Sequence, residues 1–94
     1  MDDETWTPIE RTDEWLAYIH LGDERTLLVV DRTSQLEMTA WLNPDWSIAE
    51  YRLEHNGQLL DQAQYDATLI ARITTQAQIF RDRAQARHQS KDEA

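Results

Sequence analysis

The hydrophobic period of this chain changes once, and that change constrains the fold more than any other feature. Up to about residue 60, apolar residues recur at every second position in short runs broken by turn signals; from about residue 66 they recur at helical spacing. The clearest run is residues 35–42, where Leu36, Met38, Ala40 and Leu42 alternate with mainly polar neighbours, the period of a half-buried strand. Asn43-Pro44-Asp45-Trp46 then reads as a turn, since proline presets φ and the Asn and Asp side chains bond back to the backbone. Residues 48–54 form the return strand. Ser34-x-x-Glu37 and Ser47-x-x-Glu50 also fit capping boxes and would open short helices instead. Cross-strand pairing decides the matter. With residues 43–46 as the loop, Leu36 faces Leu53, Met38 faces Tyr51 and Ala40 faces Ala49 on one side. On the other, Glu37 faces Arg52, Thr39 faces Glu50 and Trp41 faces Ile48. Apolar meets apolar and opposite charges meet, which stabilises antiparallel pairs; helices here gain nothing comparable.

Asn56-Gly57 supplies the next turn, because a two-residue hairpin loop needs positive φ twice. Its register sets Leu53 opposite Leu60 and Arg52 opposite Asp61. Upstream, residues 14–21 and 26–32 are strands joined by Gly22-Asp23-Glu24-Arg25, and Thr33-Ser34 turns into the third. From about Asp66 to His88, Leu69, Ile70, Ile73, Ala77, Phe80 and Ala84 fall on one helical stripe. Asp66 suits its N-cap, and Arg81, Arg83, Arg87 and His88 suit the negative end of the helix dipole. The expected fold is α+β: a five-stranded antiparallel meander with one C-terminal amphipathic helix packed on one face. At 94 residues the chain accommodates one domain, read as residues 14–88, with a partly flexible acidic arm at 1–13 and a flexible tail at 89–94.

One helix cannot cover such a sheet. Carried along the meander, these registers put Leu16, Tyr18, Leu27 and Val29 on the helix side with Leu36, Met38 and Ala40. The reverse face collects Trp15, Ala17, Ile19, Leu21, Leu28, Val30 and Trp41. Monomers seldom leave several hundred Å² of contiguous apolar surface in water. Three covers are open: the N-terminal segment with Trp6, Pro8 and Ile9, which is short for the task, a second copy of the chain, or a different protein. A homodimer is the leading expectation, with Trp15, Ala17, Ile19, Leu28 and Val30 as the contact.

Catalytic machinery has little support. The chain has no cysteine, which excludes thiolate chemistry and disulfides, and two glycines, which leave no phosphate-cradling loop. His20, His55 and His88 are scattered over a strand, a turn and a helix end, without metal-ligand spacing. Asp23 and Glu24 fall in an exposed hairpin loop, where no split of carboxyl environments is expected. The reading is therefore of a non-enzyme with no cofactor and no metal. No apolar run approaches the length needed to cross a bilayer, and Met1-Asp2-Asp3-Glu4 is the reverse of a basic signal-peptide start; a cytoplasmic setting is expected.

The formal net charge of −9, from 18 acids against 9 bases, argues against direct nucleic-acid binding. Arg81, Arg83 and Arg87 form the basic cluster of the chain, interrupted by Asp82, and read as a solvated helix end. Acids interleaved with aromatics are the distinctive surface element: Glu37, Trp41, Asp45, Trp46, Glu50 and Glu54. Such a surface suits a basic surface on another protein, with charge steering the encounter. The leading expectation is a small acidic protein-binding module. Its sharpest version is an inhibitor or nucleic-acid mimic acting on a basic nucleic-acid-handling protein, of the phage or mobile-element counter-defence type. The alternative is a homo-oligomeric structural or adaptor protein whose acidity serves solubility or salt adaptation.

Overall fold

Among the described residues, six antiparallel strands follow one another in space as they do in sequence, and one long helix closes one side of the sheet. In the computed structural model, residues 6–21 and 25–93 are described, Gln62 and residues 89–93 by backbone alone. The strands are β1 (Thr7–Arg11), β2 (Trp15–Leu21), β3 (Arg25–Asp31), β4 (Leu36–Leu42), β5 (Ile48–His55) and β6 (Gln58–Leu59). A short 3-10 turn, Gln62–Gln64, leads into α1 (Ala67–Glu93). The α+β class and the meander stand as read from the sequence, with one strand more. Thr7–Arg11, assigned above to an acidic arm, pairs with β2 as an edge strand. Its proline is tolerated there because an edge residue need not donate to a neighbour.

Asp66 caps α1 as expected, its Oδ1 accepting the Thr68 N–H at 2.9 Å. The helix runs on to Glu93, through most of the segment read as a tail. Its apolar stripe buries Ile73, Ala77, Phe80 and Ala84 against the inner face of the sheet. There they meet Ile9, Trp15, Ala17, Ile19, Leu27, Val29, Leu36, Met38, Ala40, Leu42 and Leu53. Alanines at 17, 40, 77 and 84 keep both surfaces low and let the helix approach closely. At 1.5 Å per residue the 27 residues of α1 span about 40 Å, more than a seven-residue strand. The helix crosses β1, β3 and β4 and leaves β5 thinly covered.

Arginines tie the helix down. Arg72 Nε bonds Oδ2 of the fully buried Asp31 at 3.0 Å, and its guanidinium lies 5.0 Å from the Trp15 ring centroid. Asp31 Oδ1 also accepts the Thr33 hydroxyl at 2.7 Å and the Thr33 N–H at 3.1 Å, shaping the β3–β4 turn. Burial pushes the Asp31 carboxyl up, but the bonds from Thr33 and Ser34 and the charge of Arg72 outweigh it and hold the group below the usual value. Arg83 pairs with Glu10, and Arg87 bonds the Pro8 carbonyl at 3.1 Å, so both hold β1. The basic cluster is thus a set of clamps rather than a solvated end.

Two registers differ from expectation. Leu21 pairs with Arg25, so three residues join β2 to β3 where four were expected. A one-residue slip moves every side chain of a strand to the other face. Trp15, Ala17 and Ile19 accordingly lie in the core under the helix, and Leu16 and Tyr18 face outward. Between β4 and β5, Met38 pairs with Leu53 and Ala40 with Tyr51, a shift of two residues that keeps the faces and changes the partners. The cause is a longer loop, Asn43–Ser47, followed by a bulge that leaves Ala49 without an opposite residue. The Asn56-Gly57 register holds: Glu54 pairs with Leu59, and both turn residues have positive φ (54° and 82°).

Candidate functional site

Among the described residues no helix lies over the outer face of the sheet, and its side chains form three rows across the strands. One row runs Arg11, Leu16, Val30, Glu37, Glu54, Leu59; the next runs Pro8, Tyr18, Leu28, Thr39, Arg52; the third runs His20, Thr26, Trp41, Glu50. Leu16, Tyr18, Leu28 and Val30 make an apolar half on β2 and β3, each half-buried. Glu37, Glu50 and Glu54 make an acidic half on β4 and β5. Trp41 stands between them. Trp6 flanks the corner, its ring 5.3 Å from that of His20 and 42% of its surface exposed.

Within the acidic half, Glu37 and Glu54 lie directly opposite each other, like charge against like charge. Arg52 reaches only one of them: its Nε is 3.2 Å from Glu54 Oε2, and its guanidinium lies 5.7 Å from the Trp41 ring centroid. Trp41 itself pairs with Glu50.

Four of the six residues read as a partner surface, Glu37, Trp41, Glu50 and Glu54, therefore share this face. Asp45 does not. It caps the β4–β5 loop, its Oδ1 accepting the Ser47 hydroxyl at 2.6 Å and the Ser47 N–H at 3.0 Å, and these bonds lower its pKa. Trp46 is a correction: it is buried, 5% exposed, at a positive φ of 75° that turns the ring inward. Arg25 covers the ring at 4.7 Å and His88 lies beside it at 5.6 Å, so Trp46 plugs the open end between helix and sheet. The expected oligomer face also divides. Leu28 and Val30 lie on the outer face, whereas Trp15, Ala17 and Ile19 are core residues with no surface to offer. Leu16 and Tyr18 take their places. A three-residue and a four-residue connection are equally compatible with Gly22-Asp23-Glu24-Arg25, so no local signal distinguished the two sets. Asp2, Asp3, Glu4, Asp23 and Glu24 lie outside the described residues.

On the inner side, an open groove of about 670 Å³ runs between α1 and the thinly covered β5, lined by Met38, Ile48, Tyr51, Ile70, Thr74 and Gln78. Among the described residues no group of three or more His, Asp or Glu could hold a metal ion, and no helix is long and apolar enough to cross a membrane. The three histidines pack at a tilt against Trp6, Tyr65 and Trp46, one each. Comparison with protein-family models, with curated proteins and with solved structures finds no match for this chain.

Proposed function

We propose that the chain is a non-enzymatic protein-binding module that docks a basic surface of another protein on its outer sheet face. An inhibitor acting on a nucleic-acid-handling complex in the cytoplasm is the sharpest form of this reading. The observation that carries it is the Glu37–Glu54 pair. Like charges directly opposite across a sheet oppose folding. Among the described residues no helix lies over this pair; Arg52 reaches Glu54, and Arg32 lines the same hollow as Glu37 but bonds the Thr12 carbonyl. A lysine or arginine from a partner entering beside Glu37 would relieve that repulsion and gain charge-assisted hydrogen bonds. The neighbouring Trp41 offers such a cation a π face. Leu16, Tyr18, Leu28 and Val30 supply apolar area to bury in the same contact, and the net charge of −9 steers a basic partner toward it.

The test is affinity capture from the native host with the wild-type chain and with a Glu37→Gln/Glu54→Gln variant, at low and high salt. The reading expects a basic, nucleic-acid-associated partner that the wild type captures at low salt. That capture should fall sharply both at high salt and in the double variant. Capture indifferent to salt and to both substitutions removes the acidic half as the contact.

A further inference from the structure

We infer that two copies of the chain associate through the open edge of β5, antiparallel about a two-fold axis at Tyr51. This inference is independent of the outer-face reading. β6 has two residues against eight in β5, and it pairs only with Glu54 and His55. The last backbone bond along that edge runs from the Leu60 N–H to the Leu53 carbonyl, at 2.9 Å. Backbone groups alternate sides along a strand, so those of Tyr51 point the same way as those of Leu53, out of the sheet and past the end of β6. Native sheets blunt such an edge with proline, with charged side chains, lysine above all, with a bulge or with a covering element, and here the bulge at Ala49 limits the open stretch to Glu50–Arg52. Residues 48–52 contain neither proline nor lysine, and α1 packs over β1, β3 and β4. Tyr51 is left 40% exposed on the groove side.

Charge order selects the occupant. Glu50 and Arg52 flank Tyr51, and both belong to the outer face. When Tyr51 pairs with the Tyr51 of a second copy, each Glu50 falls opposite the other copy's Arg52, and symmetry makes this contact twice. A two-fold axis normal to the sheet keeps opposed side chains on the same face, so the neighbouring symmetric registers centre on Glu50 or on Arg52. Each of those sets like charge against like charge on the axis. One register is therefore favoured and its neighbours penalised. The ladder is short, from Glu50 to Arg52, bounded by the bulge at Ala49 and by β6 at Leu53. The two tyrosines close over the merged grooves, and the outer faces of both copies emerge side by side.

The test is sedimentation of the full chain from micromolar to millimolar concentration, with hydrogen exchange followed at the Tyr51 amide. The expected result is a concentration-dependent dimer in which that amide becomes protected as dimer forms. Glu50→Arg and Arg52→Glu should each weaken association about tenfold, because two attractive pairs become repulsive. The combined E50R/R52E exchange restores opposite charges across the axis and should return association to within about threefold of wild type. Should Arg52→Glu fail to fold for loss of its Glu54 contact, Glu50→Arg and the Tyr51 amide still decide. A chain that stays monomeric throughout overturns the inference. So does association that Val30→Glu abolishes while the charge exchange and Tyr51 protection show nothing, because the contact is then face to face.

Discussion

The two faces of β3 hold nearly the same side chains and lead different lives. Leu27 and Val29 point inward and are completely buried; Leu28 and Val30, their immediate neighbours, point outward and are half-buried by one another and by Tyr18 and Leu16. Four consecutive aliphatic residues are the pattern of a strand covered on both sides. Among the described residues one cover, α1, packs on the sheet. The difference teaches that hydrophobicity along β3 records two demands for burial, one met by the helix and one that the proposed function assigns to a partner.

A matched pair of truncations measures that difference most directly. Leu27→Ala should cost about 3 kcal/mol, the transfer term plus a cavity that the helix cannot collapse into. Leu28→Ala removes the same atoms from a surface already partly wet and should cost less than about 1 kcal/mol. Urea unfolding of both variants at low protein concentration supplies the numbers. Equal costs would break the comparison, since they would mean that the outer face is covered in solution as thoroughly as the inner one.

Asp31 sharpens the comparison from the other side, as the buried charged residue of the inner face. Its carboxylate binds the β3–β4 turn through Thr33 and the helix through Arg72. Asp31→Asn weakens both and should cost about 2 kcal/mol at pH 7, moderated because Arg72 stays partly exposed to water. The folded-state pKa of Asp31 lies below its unfolded value, so the carboxylate stabilises the fold above about pH 4 and loses that contribution as pH falls through the folded value. Acid titration of thermal stability should show the wild type and Asp31→Asn converging at low pH. A constant gap between them would mean that the bond pattern matters and the charge does not.

How much of this was legible depended on what fixed each register. The Asn56-Gly57 turn dictates its own pairing, because only a two-residue loop uses two positive φ values in succession, and Glu54 meets Leu59 as read. The stripe from Leu69 to Ala84 likewise specified a helix and its buried side without reference to anything distant. The β2–β3 connection carries no comparable constraint. Gly22-Asp23-Glu24-Arg25 closes a hairpin with three residues or with four, and the choice is settled by what β2 must bury: Trp15 packs edge-on against Phe80, ring centroids 6.1 Å apart, and only the shorter loop turns it inward. Trp46 was misread for a related reason. A tryptophan in a polar turn looks presented, and its burial depends on Arg25 and His88, which lie far from it in sequence. Of the candidate surface, the residues on β4 and β5 kept their common face because a shift of two preserves parity.

The smallest expected effect bears most closely on what the outer face is for. Glu37→Gln removes one charge from a cross-strand pair of glutamates and leaves the shape of the side chain intact. If folding alone had shaped this face, the substitution would be neutral or harmful. Repulsion across the pair argues for the opposite sign: Glu37→Gln should stabilise the isolated chain by about 0.5 kcal/mol, more at low salt than at high. Thermal unfolding at two ionic strengths reads both the sign and its salt dependence. A gain in stability joined to a loss of partner capture is the mark of a residue kept for binding at some cost to the fold. A loss of stability would show that the glutamate is held by contacts within the chain, and the outer face would then differ from the inner one in exposure alone.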